Sequence, residues 1–484
     1  MIPKIAQFII CSCLLGTATQ AMSCSSVAPS PEPDPSPVYS DRHGLTGQLV
    51  YDYLAASIKG SQPDFGTSHA IAPDSIAAAR SYIWEIWTDA VHRNESTLLP
   101  ALKSYGTTDW GDLGTDSVAV HWTVGPDTLH SLYASKGSRP AEGYPLYLFL
   151  HGSPDDALGE WQTCMAWAYY FSDAPSAYFM PKSPRGGTQC RWFQPSRQAA
   201  WESLLRQAFV NGEVNPDKIY FMGISEGAYG SQRLGSFYAD YLAGVGPIAG
   251  GEQLFNCPPE NLANTAFILQ TGENDTWYGR SRLTVRVDTI LDNLAESHPG
   301  CYVHRVDLQP GKGHGCDYTV TTPWLQEHSR VTNPRYVYWE NYGMGAANGE
   351  TYRYRDGFYN LRVLEPSDSR TDNMVRSVYE MKIDDNTVNL SVNVASLTET
   401  DPYEDEDWSM TLGVEKQYTP AATGKVRIYL NDSLVDLSKP VVVVVNGKER
   451  FNGMVEPDVR HLVESCAFFF DPGRLFPAAI DVTV

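Results

Sequence analysis

Residues 223–227 have the sequence Gly-Ile-Ser-Glu-Gly and lie between a predicted strand, Lys218–Met222, and a predicted helix that begins near Ala228. A serine at such a junction sits on a sharp, strained turn, and the flanking glycines let the strand and the helix approach closely. The motif alone is weak, because a chain of this length contains one by chance on the order of one time in five. The strand before it and the helix after it are the required context, so the segment predicts Ser225 as a nucleophile.

Strands and helices alternate from about residue 116 to residue 330. The predicted strands are Val118–Trp122, Pro145–Leu150, Ser176–Met180, Lys218–Met222, Ala266–Gln270 and Tyr302–Leu308, and the predicted helices are Arg197–Val210, Ala228–Leu242 and Arg282–Leu294. The run Pro145–Leu150 is apolar throughout, as expected of a strand covered on both faces. This alternation predicts an α/β fold with a mostly parallel sheet and helices on both faces.

A serine hydroxyl needs a base that titrates near neutrality, which selects histidine. Of the 11 histidines, His314 lies in a glycine-rich loop directly after the predicted strand Tyr302–Leu308, where a parallel sheet presents residues at its carboxyl edge. Four others are placed less favourably, at the end of an early strand, before or within an element, or near the end of the region: His151, His298, His304 and His328. The sequence therefore predicts His314 as the base.

An imidazole base needs a carboxylate that fixes its tautomer and stabilises its cation. Asp275 lies in the loop after the predicted strand Ala266–Gln270, so the chain order is Ser, Asp, His. Glu273, two residues away, is the main alternative, and Asp317 is too close to His314 in sequence for easy geometry. The sequence predicts a triad with Asp275 as its acid.

Negative charge on a tetrahedral intermediate must be met by two backbone N–H groups. One is expected from Glu226, the residue after the predicted nucleophile, at a helix N-terminus whose dipole helps. The other is expected from the loop after Leu150, where Ser153 is preferred and Gly152 is the alternative, because Pro154 has no N–H. Losing one such donor typically lowers turnover roughly 100- to 1,000-fold.

Aromatic side chains lie close to these segments in sequence. Trp277 follows the predicted acid, Tyr229 follows the Gly-x-Ser-x-Gly segment, and Trp192 lies in the loop Pro184–Phe193. They are candidates for the lining of an aromatic acyl or sugar pocket, and packing in the core explains each of them equally well.

The α/β region is flanked by two parts of different character. Residues 41–115 have apolar residues at three- and four-residue spacing in Leu45–Ile58 and Ser75–Val91, which predicts a helical N-terminal segment. Residues 331–484 contain short β-like runs, and Asn446–Gly447 is the strongest hairpin turn signal of the chain. We expect residues 331–484 to form a β-rich C-terminal domain.

The N-terminus has the features of an export signal. Lys4 precedes the apolar run Ile5–Leu15, which is too short to span a bilayer. Residues 1–23 are therefore predicted to be a signal peptide, and no later apolar run reaches the roughly 18 residues of a spanning helix.

Two maturation sites are compatible with this signal. Cleavage after Ala21 would give a secreted or periplasmic protein, whereas residues 21–24, Ala-Met-Ser-Cys, form an imperfect lipobox that would place a lipid on Cys24. Residues 24–40 would then be a Ser/Pro-rich tether that holds the protein at the cell envelope.

Charge and cysteine content restrict the partners. The formal net charge is −21, which repels phosphate backbones and argues against nucleic acid. No Cys-x-x-Cys pair is present, so neither a metal nor another cofactor is predicted. Export permits disulfides, with Cys257–Cys316 and Cys164–Cys190 as possible pairings and buried free thiols as the alternative.

His151–Gly152 after an early strand, the Gly223–Gly227 segment, the Asp275 loop and the His314 loop together resemble the α/β-hydrolase superfamily. The likeness covers about residues 116–330. It is greatest to exported bacterial esterases of the feruloyl-esterase and polyhydroxyalkanoate-depolymerase kind and to prolyl-oligopeptidase-like serine peptidases.

The resemblance implies a serine hydrolase that works through an acyl-enzyme. As the leading hypothesis, we expect an exported enzyme that cleaves small-molecule or polysaccharide-linked carboxylic esters. Two alternatives stay open: a serine peptidase of the prolyl-oligopeptidase type, and a non-catalytic binding protein on a hydrolase scaffold. Glu226 departs from the many relatives that have a neutral residue after the serine. An anion at that position would disfavour anionic acyl groups or bind a cationic group of the substrate.

Overall fold

The computed structural model describes residues 38–61, 64–105, 120–124, 127–153, 157–183, 192–345, 352–405 and 408–484. The predicted signal peptide, Cys24 and most of the predicted tether lie outside these ranges. Residues 39–484 form a single compact unit, within which the domain boundaries stay a prediction. Within the described ranges, no helix combines the length and the apolar character that crossing a membrane requires.

A nine-stranded sheet forms the centre of the fold. Its strands are β1 (Lys103–Ser104), β2 (Val120–Val124), β3 (Asp127–Lys136), β4 (Tyr144–Leu150), β5 (Ser176–Lys182), β6 (Val214–Ile224), β7 (Gly244–Ile248), β8 (Ala266–Gly272) and β9 (His304–Gln309). They are arranged in the order β1-β3-β5-β4-β6-β7-β8-β9, with β2 paired to β3. All neighbours from β5 to β9 are parallel, and β3 is antiparallel to β2 and β5. The predicted mostly parallel sheet is confirmed.

Helices cover both faces of this sheet. Within the described ranges, the α-helices are α1 (Gly47–Ile58), α2 (Ile76–Asn94), α3 (Ala157–Tyr170), α4 (Pro195–Val210), α5 (Glu226–Phe237), α6 (Arg280–Ser297), α7 (Thr321–Gln326) and α8 (Val459–Phe469). Successive residues of β4 point to opposite faces: Leu148 packs in one core with Leu204 of α4, and Phe149 packs in another with Met165 of α3. Burial on both faces explains why the sequence of β4 is apolar throughout.

The C-terminal part is rich in strands, as predicted. They are β10 (Tyr336–Asn341), β11 (Gly357–Phe358), β12 (Leu361–Glu365), β13 (Val375–Asp384), β14 (Thr387–Asp405), β15 (Trp408–Pro420), β16 (Lys425–Leu430), β17 (Val441–Val445), β18 (Lys448–Gly453) and β19 (Ala478–Thr483). One sheet has the order β10-β13-β14-β17-β18 with β15 paired to β14, and a second has the order β11-β12-β16-β19. Asn446 and Gly447, with φ of 48° and 75°, form the predicted turn between β17 and β18.

Buried ion pairs join this C-terminal part to the α/β part. Asp240, just after α5, accepts hydrogen bonds from Arg355 and Arg474, and Asp471 accepts hydrogen bonds from Arg330 and Arg474. Burial alone would raise the pKa of both carboxyl groups, but the neighbouring guanidinium groups hold each pKa below its usual value. These two carboxylates are therefore ionised at neutral pH.

The described cysteines are all free thiols: Cys164, Cys257, Cys301, Cys316 and Cys466. The pairing of Cys257 with Cys316 is therefore wrong, because both are separate, buried thiols. The pairing of Cys164 with Cys190 involves a residue outside the described ranges.

Candidate active site

Ser225 occupies a strained turn between β6 and α5. Its backbone has φ of 55° and ψ of −113°, a conformation that non-glycine residues rarely adopt. A Cβ atom on Gly223 would lie 2.2 Å from the carbonyl oxygen of Gly227, and one on Gly227 would lie 2.1 Å from the carbonyl oxygen of Leu150. Only glycine fits at these two positions, and the resulting close packing of β4, β6 and α5 holds the serine in place.

The hydroxyl of Ser225 lies in a hydrogen-bonded line with two other side chains. The distance from Ser225 Oγ to His314 Nε2 is 3.1 Å, and the distance from His314 Nδ1 to Asp275 Oδ2 is 2.7 Å. With Nδ1–H donating to the carboxylate, Nε2 is left as the acceptor for the serine proton. The structure thus brings together the three residues that the sequence singled out, and we call them the candidate triad.

The rival acids lie elsewhere. Glu273 is exposed and accepts a hydrogen bond from the backbone N–H of Gly311 at 2.9 Å. Asp317 accepts hydrogen bonds from the backbone N–H and the hydroxyl of Thr319. Both carboxylates stabilise loop backbone around His314, and Asp275 is the one that contacts its ring.

Asp275 is also held by a cation. The carboxylate is only 5% exposed, and its other oxygen, Oδ1, accepts a hydrogen bond from Arg280 Nη1 at 3.0 Å. Burial alone would raise the pKa of Asp275, but the hydrogen bond from His314 and the charge of Arg280 lower it below its usual value. Asp275 is therefore a carboxylate throughout the neutral range. Arg280, which lies five residues after Asp275 at the start of α6, was not predicted from the sequence.

The loop after β4 lies against the serine. A Cβ atom on Gly152 would lie 3.4 Å from the Cβ atom of Ser225. The next residue, Ser153, is half-buried. Glu226 occupies the first position of α5, where the helix dipole places positive partial charge. The backbone segments predicted to meet an oxyanion are thus close to the hydroxyl.

His151 supports this loop. The ring is fully buried, its Nε2 accepts a hydrogen bond from the backbone N–H of Ser183 at 2.9 Å, and its Nδ1 lies 3.1 Å from the carbonyl oxygen of Gly152. Burial lowers the pKa of His151 to about 4, so the ring is neutral near pH 7. His151 therefore acts as a fixed structural side chain beside the serine.

The three aromatic residues that we singled out have different environments. Trp192 is 2% exposed, donates a hydrogen bond to the carbonyl oxygen of His151 and packs edge-on against its ring, so it lies behind the loop after β4. Tyr229 is half-buried, and its hydroxyl accepts a hydrogen bond from Arg280 Nε at 2.7 Å. Trp277 is 69% exposed beside Asp275, which makes it the most accessible of the three.

The β14–β15 hairpin packs on the loop that carries Asp275, residues 273–279, which we call the acid loop. Tyr403 donates a hydrogen bond to the carbonyl oxygen of Thr276 at 3.1 Å, and Leu412 packs over Gly279, where a Cβ atom would lie 2.7 Å from its Cδ2. Asp401 forms ion pairs with two arginines of α6, Arg282 and Arg286. The predicted acid is therefore supported by residues more than 100 positions away in sequence.

Outside the candidate triad, a cavity and a cluster of side chains in the described part of the chain could each hold a ligand. A cavity of about 590 Å³ is lined by α8, by residues 353–357 and by the ion pair of Arg353 with Glu202. Among the described residues, three side chains on α6 and β9 have ligand atoms within 4.8 Å of one another, a spacing compatible with a metal ion: Asp288, Asp292 and His304.

Comparisons with known proteins add structural neighbours. No protein-family model and no curated protein matches the chain. A thermostable esterase has a TM-score of 0.34 and 21% identity over 44% of this chain, which spans 64% of that protein. A carboxylesterase from Mesorhizobium loti has a TM-score of 0.32 and 18% identity, covering 43% and 99% of the two chains. The truncated form of a carbohydrate esterase from gut microbiota has a TM-score of 0.33 and 14% identity, covering 44% and 97%.

The fold is defined by the sheet of this chain, by the serine on the strained turn between β6 and α5, and by the chain order Ser225, Asp275, His314. Together they define an α/β-hydrolase fold with additional β-rich sheets in the C-terminal part.

Proposed function

We propose that the protein is a serine hydrolase that cleaves carboxylic esters through an acyl-enzyme intermediate. The observation that supports this most strongly is the line from Ser225 Oγ to His314 Nε2, 3.1 Å, and from His314 Nδ1 to Asp275 Oδ2, 2.7 Å. Both distances are those of hydrogen bonds, which is the arrangement that activates a serine hydroxyl.

In the proposed acylation step, Ser225 Oγ attacks the ester carbonyl carbon while its proton passes to His314 Nε2. The carbonyl oxygen becomes an anion that accepts hydrogen bonds from the backbone N–H of Glu226 and from Ser153 or Gly152. The tetrahedral intermediate collapses, the C–O bond to the alcohol breaks, and the protonated His314 gives its proton to the leaving oxygen. Asp275 stays ionised and stabilises the imidazolium.

In the proposed deacylation step, water replaces the alcohol. His314 takes a proton from the water, the resulting hydroxide attacks the acyl carbon, and the second tetrahedral intermediate expels Ser225 Oγ, which regains the proton from His314. The products are a carboxylic acid and an alcohol, and the enzyme returns to its starting protonation state.

The surroundings favour an ester with a ring next to the scissile bond. Trp277, two residues after the acid, is 69% exposed, and an accessible indole stacks on sugar or phenyl rings. Glu226, 9% exposed and directly after the nucleophile, disfavours anionic acyl groups. We therefore propose neutral acyl esters of small molecules or polysaccharides as substrates.

We further propose that the enzyme acts outside the cytoplasm, on the basis of the N-terminal sequence. The mass of the mature protein distinguishes the two forms. A mature N-terminus at Cys24 with added acyl mass supports a cell-envelope lipoprotein, and an unmodified N-terminus at Met22 supports secretion. A full-length chain with Met1 retained would contradict export.

Hydrolysis of p-nitrophenyl acetate tests the proposed reaction. We expect Ser225→Ala to abolish turnover while the circular dichroism spectrum and melting temperature stay close to those of the wild type. Ser231→Ala, on the same helix, removes a buried hydroxyl that bonds the carbonyl oxygen of Ala228 and should retain most of the activity. Unchanged turnover in Ser225→Ala would overturn the proposal.

A substrate panel tests the bond type. Short acyl esters, feruloylated sugars and dipeptidyl amides are compared on the same preparation. Higher kcat/KM for the esters supports the proposal, and higher kcat/KM for the amides would replace it with a serine peptidase. No turnover of any substrate, together with no labelling by a fluorophosphonate, would indicate a binding protein on this scaffold.

A further inference from the structure

We propose that Arg280 is a positioning residue that ties the acid loop to the helix after the nucleophile and limits how strongly Asp275 stabilises the protonated base. The inference rests on the proposed function, because it assigns a role within the candidate triad. It concerns a side chain that contacts neither the serine nor the histidine.

Arg280 closes a ring of contacts that starts and ends at α5. Its Nη1 donates to Asp275 Oδ1 at 3.0 Å, and its Nε donates to Tyr229 Oη at 2.7 Å. Tyr229 lies on α5, four residues after Ser225. The contacts therefore run from the serine through the histidine, the aspartate and the arginine back to the helix that begins beside the serine, which fixes the acid loop relative to the nucleophile.

The backbone before α6 directs the guanidinium inward. Tyr278 and Gly279 both adopt left-handed conformations, with φ of 55° and 63°. This double turn starts α6 at Arg280, which is 6% exposed and stacks with its guanidinium 4.9 Å from the centre of the Tyr278 ring. An arginine held this firmly contributes a fixed positive charge.

The charge acts on Asp275 at close range. One carboxylate oxygen faces the histidine and the other faces the guanidinium, so the negative charge that would stabilise an imidazolium is shared with a permanent cation. Among the titratable groups near Asp275, Cys316, Tyr229 and Tyr318 are neutral near pH 7, because burial raises the pKa of Cys316 to about 12 and also raises the pKa values of the two tyrosines. Carboxylates also surround the site: Glu273 and Asp317 bond loop backbone beside His314, and Glu160 Oε2 would lie 2.6 Å from a Cβ atom on Gly152.

Two carboxylates lie on the far side of this network. Glu252 is paired with Arg233, and Glu226 lies at the start of α5. The negative charges of both carboxylates contribute to the raised pKa of Tyr229. Among the described residues around the acid, Arg280 is the cation in direct contact with the carboxylate. Removing its charge should therefore favour protonation of the base.

The pH dependence of kcat/KM tests the inference, with p-nitrophenyl acetate as the probe. Arg280→Met removes the charge and the hydrogen bonds at similar side-chain length. We expect kcat to fall roughly 10- to 100-fold and the midpoint of the acid limb to move up by about one pH unit. Arg280→Lys keeps the charge but loses the planar fork, so its kcat should fall while its midpoint stays within a few tenths of the wild type.

Control variants distinguish an effect of Arg280 on the base from a general effect on the stability of the fold. Arg305→Met removes a guanidinium that is 43% exposed and paired with Asp307, and its profile should match that of the wild type. Arg280→Gln provides a second neutral variant if Arg280→Met does not fold. An unshifted midpoint in the neutral variant, or the same shift in Arg280→Lys, would overturn the inference. Full activity of Ser225→Ala would instead overturn the proposed function, so the two failures are distinguishable.

Discussion

The nucleophile turn and the acid loop are held in place in different ways. Ser225 is fixed by its neighbours in sequence, since Gly223 and Gly227 pack against each other and against the end of β4. The acid loop is fixed from a distance: Tyr403 bonds the carbonyl oxygen of Thr276, and other residues of the β14–β15 hairpin contact Gly279 and α6.

Because of this difference, the nucleophile and the acid are held in place by different parts of the chain. The nucleophile depends on strain that the α/β core stores locally, and such strain persists only where the surrounding structure over-determines it. The acid depends on packing by the C-terminal part, so this part contributes to the geometry of the site as well as to the fold. Substitutions in the two regions should therefore have different effects on activity and on stability.

The largest effect is expected in the acid loop itself. Asp275→Asn should lower kcat/KM by about 10⁴-fold, because an amide cannot stabilise the imidazolium and favours the wrong tautomer. Glu273→Gln is the matched control two residues away, and it should stay within a few-fold of the wild type. Steady-state kinetics on p-nitrophenyl acetate measures both. Equal losses in the two variants would mean that the acid has been assigned to the wrong carboxylate.

A smaller loss of activity, with a loss of stability, is expected at the nucleophile turn. Gly227→Ala would place a Cβ atom 2.1 Å from the carbonyl oxygen of Leu150, so β4 and α5 must move apart. We expect kcat/KM to fall roughly 100-fold and the free energy of unfolding to fall by about 1–3 kcal/mol. Gly453→Ala, where the nearest heavy atom would be 3.7 Å away, is the control. Wild-type kinetics in Gly227→Ala would show that the turn tolerates a side chain.

A still smaller effect on activity is expected from the hairpin. Leu412→Ala removes a fully buried side chain that packs over Gly279, and should lower the free energy of unfolding by about 2–5 kcal/mol and kcat/KM roughly 10-fold. Leu397→Ala removes the same volume from the same hairpin but from a core cluster away from the acid loop. If both variants lose the same activity, the hairpin supports the fold without positioning the acid.

The smallest effect on activity is expected from the buried ion pairs between the two parts. Asp240→Asn leaves Arg355 and Arg474 without their shared carboxylate, and should lower the free energy of unfolding by about 3–5 kcal/mol. At 25 °C and neutral pH we expect kcat/KM to change less than twofold. Chemical denaturation and steady-state kinetics on one preparation measure both quantities, and an unchanged denaturation midpoint would contradict the prediction.

The pH dependence of stability follows from the same carboxylates. The pKa values of Asp240 and Asp471 are lower in the folded state than in the unfolded state, where an aspartate has a pKa of about 4. The unfolded chain therefore takes up these protons first as the pH falls. Their contribution to stability is present above about pH 4 and is lost as the pH falls below it. Denaturation midpoints that rise on acidification from pH 5 to pH 3 would contradict this sign.

Sequence patterns predicted the parts of the fold that depend on local order. β4 and β8 are close to the predicted strands because each contains a short apolar run, and the Gly223–Gly227 segment identified the turn through its strand and helix neighbours. The Asn446–Gly447 turn followed from the positive φ that both positions require.

Elements whose sequences are explained by contacts with distant residues were not predicted from the sequence. β7 has the sequence Gly-Val-Gly-Pro-Ile, which is typical of a turn, yet Cβ atoms on Gly244 and Gly246 would lie 2.7 Å from Leu325 and 2.8 Å from Thr321 of α7. The glycines are needed for this helix to pack on the sheet. α8 was also missed, although Asp458 caps it by accepting a hydrogen bond from the backbone N–H of Arg460.

The candidate triad was predicted from the chain order, but the residues that hold the acid in place were not. Arg280 and the β14–β15 hairpin act on the acid loop only after the chain has folded, and no local pattern marks them. Trp192 is a further example, because its position in the core behind His151 depends on contacts 41 residues apart in sequence.

The most direct test of the central claim, that Ser225 is activated by His314, is the rate and site of labelling by a fluorophosphonate. After digestion, peptide mass mapping should find the label on Ser225, and the rate of labelling should fall at least roughly 100-fold in His314→Ala. A label on another residue, or equal rates in the two proteins, would contradict the claim.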